Sequence, residues 1–351
     1  MRDVLRLGLI GAGRIGQVHA ATITQRVTTA TLVAVADVNR AAAQACADQH
    51  CVPKATDDPY ELLGDPEIEA VLICSSTDTH APFIEAAARA GKHIFCEKPI
   101  ALDLDATVHA LGAVERAGVK LQVGFNRRFD ANFARARRAV ESGEIGEPHI
   151  LHLISRDPAP PPVDYVKVSG GLFLDMTIHD FDMARYLIGS EVEEVHALGA
   201  ACVDPAIGEV GDADTAVILL RFANGVFGTI DNSRRAAYGY DQRAEIFGSR
   251  GAVSVLNNYP NNAVLSTGHA VYRDLPLNFF MQRYVESYQR EIEAFVRAIV
   301  EDTAVAVSGH DGWAALAIGI AARRSWQEGR PVRVNEAVSA TAGRATNGGR
   351  P

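Results

Sequence analysis

Leu7-Gly8-Leu9-Ile10-Gly11-Ala12-Gly13-Arg14-Ile15-Gly16 carries the first apolar run of the chain straight into three spaced glycines. A short apolar run, a glycine turn and then a helical pattern read as a buried strand feeding a helix. In that context the G-x-G-x-x-G spacing has a mechanical meaning. Gly11 permits the tight turn, Gly13 lets the backbone approach a pyrophosphate, and Gly16 lets the helix pack closely on the strand. The helix N-terminus then presents N–H groups and a partial positive charge to phosphate oxygens. Asp37 stands 21 positions beyond Gly16, at the end of the next apolar run, where a carboxylate accepts from the ribose hydroxyls of adenosine. NAD is therefore the expected cofactor, with Arg40, three residues on, the one side chain nearby suited to a 2′-phosphate.

Working outward, further apolar runs follow at Leu32–Ala36, Ala70–Cys74, His93–Cys96 and Lys120–Gly124, with helical patterns such as Ile84–Ala90 and Ala106–Ala117 between them. This alternation predicts a doubly wound parallel sheet, a Rossmann domain, over residues 1–125. Past Arg128 the pattern changes. A helix at Ala131–Glu141 precedes strand candidates Ile150–Arg156, Val192–Val203, Ala213–Phe222, Val226–Ser233 and Arg243–Gly248, punctuated by turn signals such as Asn224-Gly225. Residues 126–338 are therefore expected to form an α+β domain with a large, mostly antiparallel open sheet. Helices at Asp175–Ile188, Arg283–Ile299 and Trp313–Trp326 are expected on one face of it. The proline run at Pro158, Pro160, Pro161 and Pro162 predicts a stiff exposed loop, and residues 339–351, rich in small and polar types, a disordered tail.

Composition narrows the function. With 34 Lys and Arg against 43 Asp and Glu the net charge is −9, which gives no general attraction to nucleic acid or an anionic membrane. Arg135, Arg137 and Arg138 read as a solvated helix face. No apolar run reaches the length of a membrane span, and the N-terminus reads as a first strand rather than a signal peptide. Cys46, Cys51, Cys74, Cys96 and Cys202 are odd in number and scattered, so neither a disulfide framework nor a zinc site is expected, and a cytoplasmic location fits.

Two stretches carry candidate chemistry. Asp175, His179 and Asp182 fall at i, i+4 and i+7, which on a helix places three titratable side chains on one face, the orientation that an acid–base pair needs. Cys96-Glu97-Lys98-Pro99 ends a strand of the parallel sheet, where such sheets bind ligands, so Lys98 is expected at the mouth of the sheet beside the nicotinamide.

The glycine-rich start, Glu97-Lys98-Pro99, Gly124-Phe125-Asn126-Arg127-Arg128-Phe129 and the stretch from Gly170 to Arg185 together resemble the glucose–fructose oxidoreductase, inositol dehydrogenase and rhizopine-catabolism family, over nearly the whole chain. Ser155-Arg156-Asp157-Pro158 and Tyr238-Gly239-Tyr240-Asp241 are most similar to its inositol 2-dehydrogenase branch. The resemblance implies NAD-dependent oxidation of a secondary alcohol of a cyclic polyol, with myo-inositol to 2-keto-myo-inositol the best single reaction. Another inositol isomer, an aldose, or an NAD-dependent glycoside hydrolysis are the alternatives, and a sensor that lost catalysis has no need of the full residue set. It further implies that Lys98, Asp175 and His179 carry catalysis. Arg127, Asp157, Asp182 and one of Tyr238 and Tyr240 would line the polyol pocket, the peptide before Pro99 would be cis, and the chain would form a homotetramer through the open face of its second sheet. The expected cofactor set is Gly11, Gly13, Arg14, Ile15, Gly16 and Asp37, with Ser75, Glu97 and Lys98 at strand ends.

Overall fold

The computed structural model describes residues 4–339. Strand and helix alternate through β1 Leu5–Ile10, α1 Arg14–Arg26, β2 Ala30–Ala36, α2 Arg40–His50, β3 Lys54–Thr56, α3 Pro59–Gly64, β4 Ala70–Ile73, α4 His80–Arg89, β5 His93–Glu97, α5 Leu104–Ala117 and β6 Leu121–Gly124. There follow α6 Ala131–Glu141, β7 Pro148–Arg156, α7 Val163–Ser169, α8 Ile178–Ile188, β8 Val192–Ala200, α9 Pro205–Glu209, β9 Thr215–Phe222, β10 Phe227–Ser233, β11 Asp241–Gly248 and β12 Gly251–Val255. A small hairpin of β13 Val264–Ser266 and β14 Val271–Arg273 leads to α10 Phe280–Arg283, α11 Val285–Val300, α12 Gly309–Glu328 and β15 Val332–Arg333.

The described residues pack as two compact units, one of residues 4–129 with 285–316 and one of residues 130–284 with 317–339, the second division falling inside α12. The expected boundary after residue 125 takes no account of this return of the chain. The first unit holds a six-stranded parallel sheet in the order β3-β2-β1-β4-β5-β6. Strand direction of progress reverses between β1 and β4, the position where doubly wound sheets open a ligand crevice. Both strands are buried almost throughout, which is why they read as continuous apolar runs rather than alternating ones.

The helix expected at Arg283–Ile299 on the face of the second sheet belongs to the first unit instead. Ile292, Phe295 and Val296 of α11 sit in one core cluster with Leu5, Leu7, Leu9 and Phe95, and the Phe95 and Phe295 rings meet at 5.9 Å. An amphipathic helix declares which face it buries but not which sheet receives that face, so the sequence pattern left this assignment open.

The second unit contains a seven-stranded sheet in the order β12-β11-β7-β10-β9-β8-β15, antiparallel except for β7 beside β10. Along β9 the inward residues Ala216, Ile218, Leu220 and Phe222 alternate with outward Val217, Leu219 and Arg221, the period of a sheet covered on one face. Asn224-Gly225 makes the expected β9–β10 turn, with Gly225 at φ +87°. β8 stops at Ala200, short of Val203, because the buried Asp214 carboxylate accepts from the N–H groups of Cys202, Val203 and Asp204 and draws the chain out of the ladder. The proline run is a loop that leads into α7, a helix the sequence reading did not anticipate. Of the expected tail, residues 340–351 lie outside the described residues, while Ser339 is helical.

Because α11 closes the apolar face of the parallel sheet, Phe295→Ala should lower stability by about 3–5 kcal/mol, the usual cost of emptying a buried aromatic site. Chemical denaturation measures it, and a loss below about 1 kcal/mol would mean that the helix is dispensable to that core.

Candidate active site

In the first unit the glycines behave as their spacing requires. Gly11 has φ +99°, and a Cβ there would meet the Cys74 carbonyl and Ser75 nitrogen at 2.6 Å. A Cβ on Gly16 would stand 2.0 Å from the Gly11 carbonyl oxygen. Gly13, the residue before α1, has open space where its side chain would be, the cradle that a pyrophosphate fills in this fold. Arg14 is exposed and Ile15 half-buried at the first turn of the helix.

Asp37 follows β2 and turns back to the glycine loop. Its Oδ2 accepts from Ala12 N at 2.7 Å and its Oδ1 from Asn39 N at 2.8 Å. The carboxylate is thus fixed beside the dinucleotide turn by two backbone donors. Arg40 is the first residue of α2 and pairs with Asp57 at 3.2 Å, both side chains being more than half exposed.

Ser75, just after β4, shares a hydrogen bond of 2.6 Å with Thr79. Glu97 ends β5, is buried, and meets His19 Nε2 at 2.6 Å. The peptide joining half-buried Lys98 to Pro99 is cis, as the resemblance implied. Arg127 is buried in the short 3₁₀ turn Asn126–Phe129. Burial pushes the Cys74 and Cys96 thiols well above the ordinary cysteine range, and all five cysteines are free.

In the second unit the segment expected as one helix from Asp175 to Ile188 is divided. Leu172–Met176 forms a π-helical turn closed by Thr177, whose N–H donates to the Leu172 carbonyl at 2.9 Å, and α8 begins only at Ile178. Asp175 therefore lies in the π turn, while His179 and Asp182 lie on α8. The i, i+4, i+7 helical face does not extend to Asp175. The cause is upstream. Gly170 and Gly171 have φ +91° and +75°, and a Cβ on Gly171 would meet the Asp212 carboxylate at 2.7 Å. That carboxylate receives Leu172 N, and burial raises its pKa even so.

Asp175 is held at both oxygens. Tyr165 OH of α7 donates to Oδ1 at 3.1 Å, and Arg234 Nη2, 2% exposed, approaches Oδ2 at 3.4 Å. Neither partner was anticipated. Arg234 follows β10 and is 59 residues from Asp175, and no local pattern reports a contact at such a distance.

His179 is half-buried and Asp182 fully buried. Next to them on α8, Asp180 accepts from Asn232 Nδ2 at 2.9 Å, and Asn232 in turn accepts from Thr177 at 2.6 Å. Asp157 follows β7 and is tied to the loop carrying Arg234 by Asp157 N to Ser233 O and Ala236 N to Asp157 O.

The two tyrosines differ. Tyr240 is buried against Phe279 and Tyr284. Tyr238 is 37% exposed, accepts from Arg156 at 2.9 Å and donates to Asp241. Burial opposes ionisation of Asp241, yet Arg243, Tyr238 and Asn257 outweigh it and hold the carboxyl below its ordinary range. Among the described residues no cluster of His, Cys, Asp and Glu could hold a metal ion, and no helix is long and apolar enough to cross a membrane.

A glycine-lined helix N-terminus, a carboxylate at the end of β2 and the 3-2-1-4-5-6 strand order define a dinucleotide-binding Rossmann domain. Residues 5–125 match the oxidoreductase family model with an NAD-binding Rossmann fold, and residues 133–254 match the GFO/IDH/MocA C-terminal domain. A myo-inositol 2-dehydrogenase of Thermotoga maritima is 49% identical, covering 95% of this chain and all of that one. An inositol 2-dehydrogenase of Rhizobium meliloti is 50% identical over 94% of this chain and 99% of its own length. The crystal structure of scyllo-inositol dehydrogenase from Lactobacillus casei with bound NAD(H) and scyllo-inositol superposes with a TM-score of 0.89 at 30% identity, over 95% of this chain and all of that one. The chain belongs to the GFO/IDH/MocA oxidoreductase family, and NAD is its cofactor.

With Asp37 facing the dinucleotide turn and Arg40 already paired, NAD should be preferred to NADP, and Asp37→Ala should weaken NAD binding about tenfold, the loss of one charged hydrogen-bonding partner. Fluorescence titration with both cofactors checks this. A wild-type preference for NADP would assign Arg40 the dominant role.

Proposed function

We propose that this chain oxidises myo-inositol to 2-keto-myo-inositol with NAD. The observation that carries the reading is near-complete coverage at about half identity by relatives described as myo-inositol and inositol 2-dehydrogenases, together with a carboxylate, Asp175, fixed by two partners just ahead of the helix that bears His179. Bound NAD supplies the acceptor for the carbon-bound hydride.

The remaining work falls to side chains of this chain. His179 takes the hydroxyl proton as general base. Asp175, its carboxylate held by Tyr165 and Arg234, supports the imidazolium that forms. Lys98 donates to the substrate oxygen and stabilises its developing negative charge. Arg127, Asp157, Asp182 and Tyr238 are the polyol contacts in this reading. Tyr240 is the weaker of the two tyrosine candidates because its ring is packed into an aromatic cluster.

The functional form in this reading is a cytoplasmic homotetramer. The outer face of the second sheet leaves Ile150, Leu198, Val217, Leu219, Phe227 and Phe247 exposed on adjacent strands, an apolar patch of the kind that pairs with a copy of itself. Five free thiols suit a reducing compartment.

NADH formation measured against a panel of inositols and aldoses tests the activity. Best turnover is expected on myo-inositol, and glycoside cleavage without net NADH would overturn the proposal. His179→Ala should cut kcat by roughly two to four orders of magnitude. Lys98→Ala should cost roughly 3–4 kcal/mol of transition-state stabilisation. Asp182→Ala should mainly raise KM. Near-wild-type kcat in His179→Ala would remove it as the base. For assembly, sedimentation at micromolar concentration should give a tetramer that Leu219→Lys shifts to smaller species, and a wild-type monomer would refute that part alone.

A further inference from the structure

Two buried histidines that take no part in the steps above grip the turn Glu97-Lys98-Pro99 from either side. His19, on α1 and 0% exposed, places Nε2 2.6 Å from Glu97 Oε1, while its Nδ1 has no hydrogen-bond partner. The ring therefore has one polar engagement, with Glu97. Phe95 and Tyr288 meet it edge-on at 5.1 and 5.5 Å, so aromatic packing fixes the plane in which that bond is made. The Glu97 carboxylate is enclosed on another side by Gly124, where a Cβ would come within 3.0 Å of it.

Past Lys98 the second histidine takes over. His80, the first residue of α4 and 2% exposed, brings Nδ1 to 2.8 Å from the Pro99 carbonyl and Nε2 to 3.0 Å from the Ser75 carbonyl. Burial pushes this imidazole below the ordinary histidine range, against the pull of the two carbonyls. Both ring nitrogens face carbonyl oxygens, and the Nδ1–H at the shorter distance donates to Pro99 in the turn after β5. Each residue flanking Lys98 is thus anchored to a buried imidazole, by side chain on one side and by backbone on the other.

A lysine ammonium is a compact charge on a flexible stem. Much of its aim comes from where its backbone is held, and sub-ångström placement matters for a group that acts on developing charge. We propose that His19 and His80 are positioning residues for Lys98, His19 acting through the Glu97 carboxylate and His80 through the Pro99 carbonyl. This rests on the reading of Lys98 as a catalytic residue. A buried histidine that only supports the fold would cost stability equally whatever stands at residue 98; a positioning histidine loses its kinetic effect when Lys98 is gone.

A double-mutant cycle on the full-length enzyme separates the two. The readouts are kcat with NAD and myo-inositol, NAD affinity by fluorescence titration, and Tm. His19→Phe removes the donor and keeps an aromatic ring. His19→Gln restores an N–H at comparable reach. His19→Phe is expected to lower kcat about tenfold with NAD affinity changed less than about twofold, and His19→Gln to recover most of the loss. In a Lys98→Ala background His19→Phe should change the residual kcat by less than about twofold.

His80→Leu and His80→Asn form the parallel pair, since the Asn amide can reach the Pro99 carbonyl in place of Nδ1. If His19→Phe does not fold, the isosteric Glu97→Gln enters the same cycle with the same expectation for kcat in the wild-type and Lys98→Ala backgrounds, NAD affinity being left out of its readouts because Glu97 stands in the expected cofactor set. An undiminished tenfold loss in the Lys98→Ala background would overturn the proposal. Near-wild-type kcat in Lys98→Ala alone would overturn the catalytic reading of Lys98 instead, and is seen from that single variant.

Discussion

A Cβ at residue 16 would stand 2.0 Å from the Gly11 carbonyl oxygen, so the first unit depends on a position that can carry only hydrogen. That close approach seats α1 on β1 and puts the helix N-terminus at the strand end, the position from which such a helix can meet phosphate oxygens. It also sets the depth of everything else on that helix face. His19 lies three residues beyond Gly16 and so on the same side of α1, which brings its ring to Glu97 at the end of β5. Across the turn, the Ala12 N–H held by Asp37 ties β1 to the end of β2. One missing side chain thereby registers three strand ends against one helix.

The second unit uses the same device for a different purpose. Gly171, with φ +75°, lets the Asp212 carboxylate come where a Cβ would collide, and the chain leaves that point in a π turn rather than an α-helix. The extra residue in the turn changes the direction in which Asp175 leaves the backbone relative to the residues on α8. Arg234 then approaches Asp175 from inside the unit. A guanidinium 2% exposed is costly to bury unless paired, so the pair with Asp175 holds the cation in place as much as the carboxylate.

The parallel sheet was legible because its buried strands are apolar runs with little internal alternation, and because the glycine spacing carries geometry as well as composition. β3 was missed because three residues, Lys54 to Thr56, of which only Thr56 is buried, give no period to read. The second sheet was legible from alternation and from Asn224-Gly225. What stayed hidden are contacts between distant positions. Arg234 with Asp175, His19 with Glu97 and His80 with Pro99 link segments whose local sequence would look the same without the partner. Asp175, His179 and Asp182 were picked out by a helical repeat that the π turn interrupts. The selection was guided by residue type and spacing, and the backbone that presents Asp175 is set by two glycines and a threonine outside that repeat.

The return of residues 285–316 to the first unit has a consequence for biosynthesis. At about 5–20 residues per second, the parallel sheet leaves the ribosome roughly 10 to 30 s before α11, and for that interval the surface that Ile292, Phe295 and Val296 finally cover is bare. A nascent chain in that state is a natural client for a chaperone that shields apolar surface. Meanwhile residues 130–284 are translated and can collapse around their own sheet. The nucleotide-binding half, first to emerge, is therefore completed only late in translation, and a premature stop ahead of α11 would leave both halves unfinished.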